Sequence, residues 1–172
     1  MGTTAFSELK SLLTKVNHLE VVGGFLDWDL NVNVPSGGHE ARANLMGDIA
    51  GLGHELATSK QFEDVLMRAV EAAKKGKLKD DEMIIVERTR SDFEKNKKLP
   101  VEFVAELARL CGEAHEVWVD ARAKSDFNLF EPYLNEVDTV LLMTIEAGFS
   151  GKPFMPSVLT KIKKVHEKYP DL

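Results

Sequence analysis

Apolar residues recur at steps of three and four along almost the whole chain. The first run contains Leu9, Leu12, Val16 and Leu19, and this spacing puts the side chains on one face of a helix that we predict from about residue 4 to residue 28. No segment alternates polar and apolar residues over any length, so we expect no substantial sheet. The pattern predicts an all-α fold whose antiparallel helices bury their apolar faces against one another.

Helix-breaking and helix-capping residues divide this pattern into six or seven helices. Pro35, Gly37 and Gly38 end the first helix, and the second should run from about residue 39 to residue 57. Ser59 is typical of a helix N-cap and predicts the start of the third. The remaining predicted helices begin at Asp80 and Asp81, at Pro100, at Ser125 or Asp126, and at Ser157.

The helix predicted to follow Pro100 carries the clearest apolar stripe in the chain. Its members step by three and four residues: Val104, Leu107, Cys111, Ala114, Trp118 and Ala121. A stripe of this width predicts that the helix packs on a neighbouring helix. Cys111 would then be a small buried hydrophobic residue.

Charge and composition exclude several classes of protein. The sequence holds 22 basic and 28 acidic residues, net −6, whereas a general nucleic-acid binder needs a basic face. It has no apolar run near the roughly 20 residues of a membrane span, no signal-peptide pattern and a single cysteine. We therefore expect one cytoplasmic domain over residues 1–172, with no nucleic-acid or membrane partner. Residues 152–172 hold five basic and two acidic residues.

Known motifs for metal binding and nucleophilic catalysis are missing. A zincin needs His-Glu-x-x-His, in which two imidazoles one helical turn apart bind zinc. Four His-Glu pairs occur, but the residue four positions after each histidine is Ala43, Thr58, Val119 or Pro170. Cys111 and His115 are one turn apart, but Cys111 belongs to the apolar stripe. We therefore predict no catalytic residue, no cofactor and no metal ligand in this chain.

Two segments combine charged and aromatic residues in an unusual way, residues 27–42 and residues 118–134. Asp29 has two interpretations: it pairs with Arg42 or with the following turn, or it forms part of the rim of a groove. The second segment would pack a helix corner with a cap, or would border the same kind of groove. The candidate groove-rim or structural residues are Trp28, Asp29, Arg42, Trp118, Arg122 and Asp126.

Both segments resemble the carboxypeptidase Taq family of metallocarboxypeptidases. Residues 26–43 are similar to an N-terminal signature with a Trp-Asp pair, a proline, two glycines and an arginine. A later block is similar at Lys98-Leu99-Pro100, Trp118, Ala121-Arg122, Ser125-Asp126-Phe127, Phe130 and Pro132-Tyr133-Leu134. The resemblance covers about residues 5–140 and is lost in the divergent basic tail, residues 148–172.

The resemblance implies an all-helical, cytosolic and commonly homodimeric fold. Full-length members bind zinc through a His-Glu-x-x-His motif farther along the chain and remove single residues from peptide C-termini. Their N-terminal helices form a wall and lid over the substrate groove. We therefore expect a truncated homologue of this region that lacks peptidase activity alone, binds a protein or peptide partner and forms a homo-oligomer.

Two alternatives stay open at this point. In the first, the chain is a subunit or fragment of a zinc metallocarboxypeptidase that closes the substrate groove and needs another chain for catalysis. In the second, the resemblance is a chance match and the chain is an unrelated helical domain.

Overall fold

The computed structural model describes residues 4–35, 37–124, 131, 134, 137–146, 148 and 151–170. These residues contain six α-helices and no strand, which confirms the predicted all-α class. The helices are α1 (Thr4–Val32), α2 (His39–Thr58), α3 (Lys60–Lys74), α4 (Asp80–Asn96), α5 (Val101–Lys124) and α6 (Val158–Lys168). Among the described residues, no helix is long and apolar enough to span a bilayer.

Local signals predicted most helix boundaries correctly. The Ser59 hydroxyl accepts a hydrogen bond from the backbone N–H of Phe62 at 3.1 Å and so caps α3. Pro100 directly precedes the first residue of α5. The first helix is longer than predicted and ends at Val32, because a helix can continue until the conformational restriction that Pro35 imposes on the residue before it.

The helix predicted to begin near residue 125 is wrong over residues 137–146, which are not helical. The three- and four-residue spacing of Leu134, Val137 and Leu141 places Leu141 on the apolar face of this predicted helix, but Leu141 is 83% exposed. Valine, threonine and isoleucine account for five of the nine residues from Val137 to Ile145, and their branched side chains are restricted in a helix. The proposed cap, Ser125 or Asp126, lies outside the described residues.

The core forms where α1, α3 and α4 meet. Leu9 of α1 and Leu66 of α3 are fully buried, and the rings of Phe62 and Phe93 stack with their centroids 6.0 Å apart. Other core residues are Phe6, Leu12, Val65, Ala69, Leu78 and Val86. Each fully buried large side chain contributes about 1.5–3 kcal/mol relative to an exposed one, so this cluster is the main source of stability in the described fold.

An ion pair closes the edge of this core. Lys97, just after α4, donates a hydrogen bond to Glu63 of α3 with Nζ and Oε1 2.6 Å apart. This hydrogen bond holds the pKa of Glu63 below its ordinary value. The contact joins the end of α4 to the start of α3.

The described chain divides into two compact units, residues 1–116 and 117–172. The first unit contains α1 to α4 and most of α5. The second contains the end of α5, residues 137–146 and α6, whose Val158 and Val165 are buried. Within it, Lys168 of the basic tail pairs with Glu131 and lowers the pKa of that carboxyl. The single domain over residues 1–172 stays a prediction.

The predicted packing of the α5 stripe is wrong. Leu107 is 52% exposed, and Cys111 and Trp118 are also exposed. Gly112 is the buried residue of α5, and a Cβ atom built there would lie 2.9 Å from the Cβ of Ala43 in α2. The helix therefore packs through its small residues, on the side opposite to the stripe.

The glycines of α2 explain why α5 packs through its small residues. A Cβ atom at Gly47 would lie 2.9 Å from the carbonyl oxygen of Ala105, and one at Gly51 would lie 3.2 Å from the Cβ of Ala105. Without side chains at these positions, the α5 backbone approaches α2 closely. Leucine and tryptophan side chains do not fit between backbones at that separation, so the larger apolar residues remain outside.

Candidate functional site

The turn between α1 and α2 holds the most strongly connected of the predicted site residues. Arg42, in the first turn of α2, forms an ion pair with Asp29, in the last turn of α1, and both side chains are half-buried. The Asp29 carboxylate also accepts a hydrogen bond from the Asn33 side chain at 3.1 Å. The backbone carbonyl of Asp29 accepts from Asn33 and Val34. The pairing of Asp29 with Arg42 is thus confirmed.

A shallow cavity of about 400 Å³ lies beside this pair, with Asn33, Pro35 and Leu45 among its lining residues. Gly37 has φ +87°, a conformation that glycine adopts without steric cost and that allows the chain to turn here. The two charges at the cavity neutralise each other. A molecule in this cavity would therefore meet polar and apolar groups but no net charge. A groove-rim role for these residues stays a prediction.

We expect Asp29 and Arg42 to stabilise the turn as a coupled pair. In a double-mutant cycle of Asp29→Asn and Arg42→Met, the coupling free energy should be about 1 kcal/mol, at the upper end for exposed pairs because both side chains are half-buried. Urea unfolding measures it. The more exposed Lys60–Asp64 pair of α3 is the control and should give a smaller coupling; equal couplings would contradict the expected role.

Trp28 lies on an exposed apolar surface of α1, which we call the α1 face: Val21, Phe25, Trp28 and Val32. The four residues step by four, three and four positions, and Phe25 is 66% exposed. Gly24 has open space beside it, and together with Val21, Phe25 and Trp28 it forms a shallow depression. Of these four residues, the sequence pattern indicated only Trp28 as a candidate site residue.

A second exposed surface is the α5 face: Phe103, Leu107, Leu110, Cys111 and Ala114. These residues follow one another at helical spacing on the side of α5 opposite to Gly112. Farther along α5, the Arg122 guanidinium lies 5.3 Å from the Trp118 ring centroid in a cation–π contact. Asp126, the remaining predicted site residue, lies outside the described part of the chain.

Sequence reasoning missed a contact between the start of α2 and α5. The His39 ring lies 6.5 Å from that of His115, centroid to centroid, and its Nδ1 lies 3.5 Å from Glu116 Oε1. His39 Nδ1 is buried without a hydrogen-bond partner in the described structure. Sequence spacing tests each histidine only for a second zinc ligand one turn away in the same helix, and it does not indicate a pair that long-range packing brings together.

No group of three or more histidine, cysteine, aspartate or glutamate side chains is arranged to hold a metal ion within the described ranges. Neither the pair of Cys111 and His115 nor the contact between His39 and Glu116 belongs to such a group of ligands. The described geometry therefore offers an ion pair, a cavity and two apolar helix faces.

Comparison with known proteins identifies the family to which the chain belongs. The family described as carboxypeptidase Taq (M32) metallopeptidase matches residues 8–147, close to the predicted extent of the resemblance. The chain belongs to this family. It is 32% identical to carboxypeptidase 1 of Bacillus subtilis over 133 residues, 76% of this chain. The solved BsuCP crystal structure matches 95% of the chain with a TM-score of 0.71 and 25% identity.

The family relatives are much longer proteins. This chain spans 26% of the Bacillus subtilis carboxypeptidase and 35% of the chain in the BsuCP crystal structure. A different kind of match is to the cytoplasmic ribulose-phosphate 3-epimerase of rice, 47% identical over 38 residues. It covers 22% of this chain and 17% of that enzyme, and two fungal enzymes of that name also match. These matches are too short to show a second family.

Proposed function

We propose that the chain is a homologue of the N-terminal helical domain of a metallocarboxypeptidase and acts as a protein or peptide interaction module. In this proposal it has no peptidase activity of its own, works in the cytoplasm and forms homo-oligomers. The observation that carries the proposal is the pair of exposed apolar helix faces on α1 and α5.

These two faces have the form of binding surfaces. Each presents large apolar side chains at successive helical turns, with Phe25 and Trp28 on α1 and Phe103, Leu107 and Leu110 on α5. Single exposed apolar residues are common on soluble proteins, but aligned groups of them mark interaction sites. An aligned face of this kind is the usual contact of one amphipathic helix with another. A second copy and a longer family member are both candidate partners.

The chain's own sequence supports the absence of independent peptidase activity. None of its four His-Glu pairs continues to His-Glu-x-x-His, so the zinc site that the resemblance implies for full-length members has no counterpart here. The competing function is that of a subunit or fragment that closes the substrate groove of a zinc metallocarboxypeptidase. It is favoured by the fraction of the relatives that this chain spans, about a quarter to a third.

Two measurements on the purified chain test the proposal. Sedimentation measures self-association and binding to Bacillus subtilis carboxypeptidase 1, and an assay with an N-blocked peptide and added zinc or cobalt measures hydrolysis. We expect association with at least one of the two proteins, and no hydrolysis. Phe25→Lys or Leu107→Lys should weaken the association, whereas Ile84→Lys on α4, where the wild-type residue is similarly exposed, should not.

Several results would overturn the proposal. They are a chain that binds neither protein, association that is indifferent to both face variants, and turnover of the peptide by the homogeneous chain. Stimulation of the Bacillus enzyme's peptide hydrolysis, lost in the face variants, would instead support the groove-closing subunit.

A further inference from the structure

An uncharged segment of the second unit, residues 139–145, has the character of a β-strand. Its sequence is Thr-Val-Leu-Leu-Met-Thr-Ile, flanked by Asp138 and Glu146. The backbone has neither helix nor turn here. Exposure alternates, since Leu141 and Met143 are exposed while the residues on either side of each are half-buried. Alternation with a period of two is the pattern of a strand with one covered face.

Within the part of the chain that the structure describes, most backbone groups of this segment have no backbone hydrogen-bond partner. Among the described residues, its one backbone hydrogen bond runs from the N–H of Met155 to the carbonyl oxygen of Thr144, at 2.7 Å. A row of unpaired N–H and C=O groups on an apolar segment is a template for strand pairing. The segment contains no proline or glycine, and four of its seven residues are β-branched, a composition typical of segments that pair.

We propose that residues 139–145 pair with the same segment of a second copy as antiparallel β-strands. Antiparallel pairing centred on Leu142 would set Leu141 of each copy opposite Met143 of the other, so that exposed side chains meet exposed side chains. The seven paired residues bring no like charges together. At the ends, Asp138 would face Glu146 of the other copy, and Lys152 lies 3.5 Å from the Glu146 carboxylate and compensates its charge.

This inference does not depend on the proposed function. The helix faces lie on α1 and α5, whereas the strand-like segment lies between residue 138 and residue 146. The two surfaces also differ in what association changes: helix pairing leaves the backbone helical, and strand pairing creates β-structure. Because the described chain contains no strand, a β signal would have little background.

Amide I infrared spectra over a range of protein concentrations, with sedimentation in parallel, test the pairing. We expect the β band to rise as the chain associates. The double variant Leu141→Lys, Met143→Lys should require a roughly tenfold higher concentration for the same β signal, because it places like charges opposite one another. Ile84→Lys is the matched control for a lysine replacing an exposed apolar residue, and it should not move the β band.

A second variant keeps the test decisive if the double-lysine variant fails to fold. Leu141→Pro removes one backbone donor without adding charge and should weaken pairing in the same direction, while far-ultraviolet circular dichroism at low concentration checks that the helices persist. Absence of a concentration-dependent β band in the wild-type chain would overturn the proposal. So would an unchanged β band in both the double-lysine and the proline variants. Binding of a foreign apolar peptide at this segment, without self-pairing, counts against it as well.

Discussion

Leu66→Ala lowers the free energy of unfolding by about 2–5 kcal/mol, the range for removing a fully buried leucine side chain. Leu66 is 0% exposed and belongs to the core cluster in which Leu9 of α1 also lies. The substitution removes buried apolar contacts and leaves a cavity that the neighbouring helices fill only in part. Urea unfolding followed by circular dichroism measures the change.

Leu52→Ala is the matched control for this prediction. Leu52 lies in α2 and is 53% exposed, so the same change in chemistry should cost less than about 1 kcal/mol. Similar losses at both positions would show that the cluster around Leu66 is not the main core. A change in the slope of the unfolding free energy against urea concentration, with an unchanged midpoint, would instead indicate an altered unfolded state.

Gly112→Val should destabilise the chain by about 3 kcal/mol, the upper part of the range for overpacking. A Cβ atom at this position would lie 2.9 Å from the Cβ of Ala43 and 3.0 Å from its Cα. These atoms belong to the backbone or adjoin it and cannot rotate away. Valine therefore forces α5 and α2 apart, and the contacts around Gly47 are lost as well.

Gly24→Ala is the control for this second prediction because it should raise the stability of the chain, whereas Gly112→Val should lower it. Gly24 is inside α1 and has no atom within 4 Å of a built Cβ, so alanine should stabilise the helix by about 0.5–1 kcal/mol. Thermal unfolding of the two variants beside the wild type checks both. A stabilised Gly112→Val variant would contradict the close α2–α5 contact.

The sequence predicted those features that are encoded over a few residues. The Ser59 cap, the Pro35 and Gly37 break and the Pro100 start are local, and the helices begin or end close to them. The pairing of Asp29 with Arg42 was predictable for the same reason, because a short turn brings the ends of two successive helices together.

The features that were missed depend on residues distant in sequence. Periodicity identified the apolar stripe of α5 but could not show that Gly47 and Gly51 of α2 would select the opposite, small-residue side. The contact of His39 with His115 likewise depends on how α2 and α5 are brought together. In residues 137–146, apolar spacing suggested a helix, while the β-branched side chains favoured another conformation.

The exposed thiol of Cys111 gives the α5 face an unusual experimental property. It is the single cysteine in the sequence and it is accessible, so a maleimide fluorophore or a nitroxide spin label attaches to one defined position without any mutation. Emission wavelength or spin-label mobility at that position then reports directly whether the face is wet or covered. Distances between labels on associated copies can be read by pulsed electron resonance, using the natural sequence.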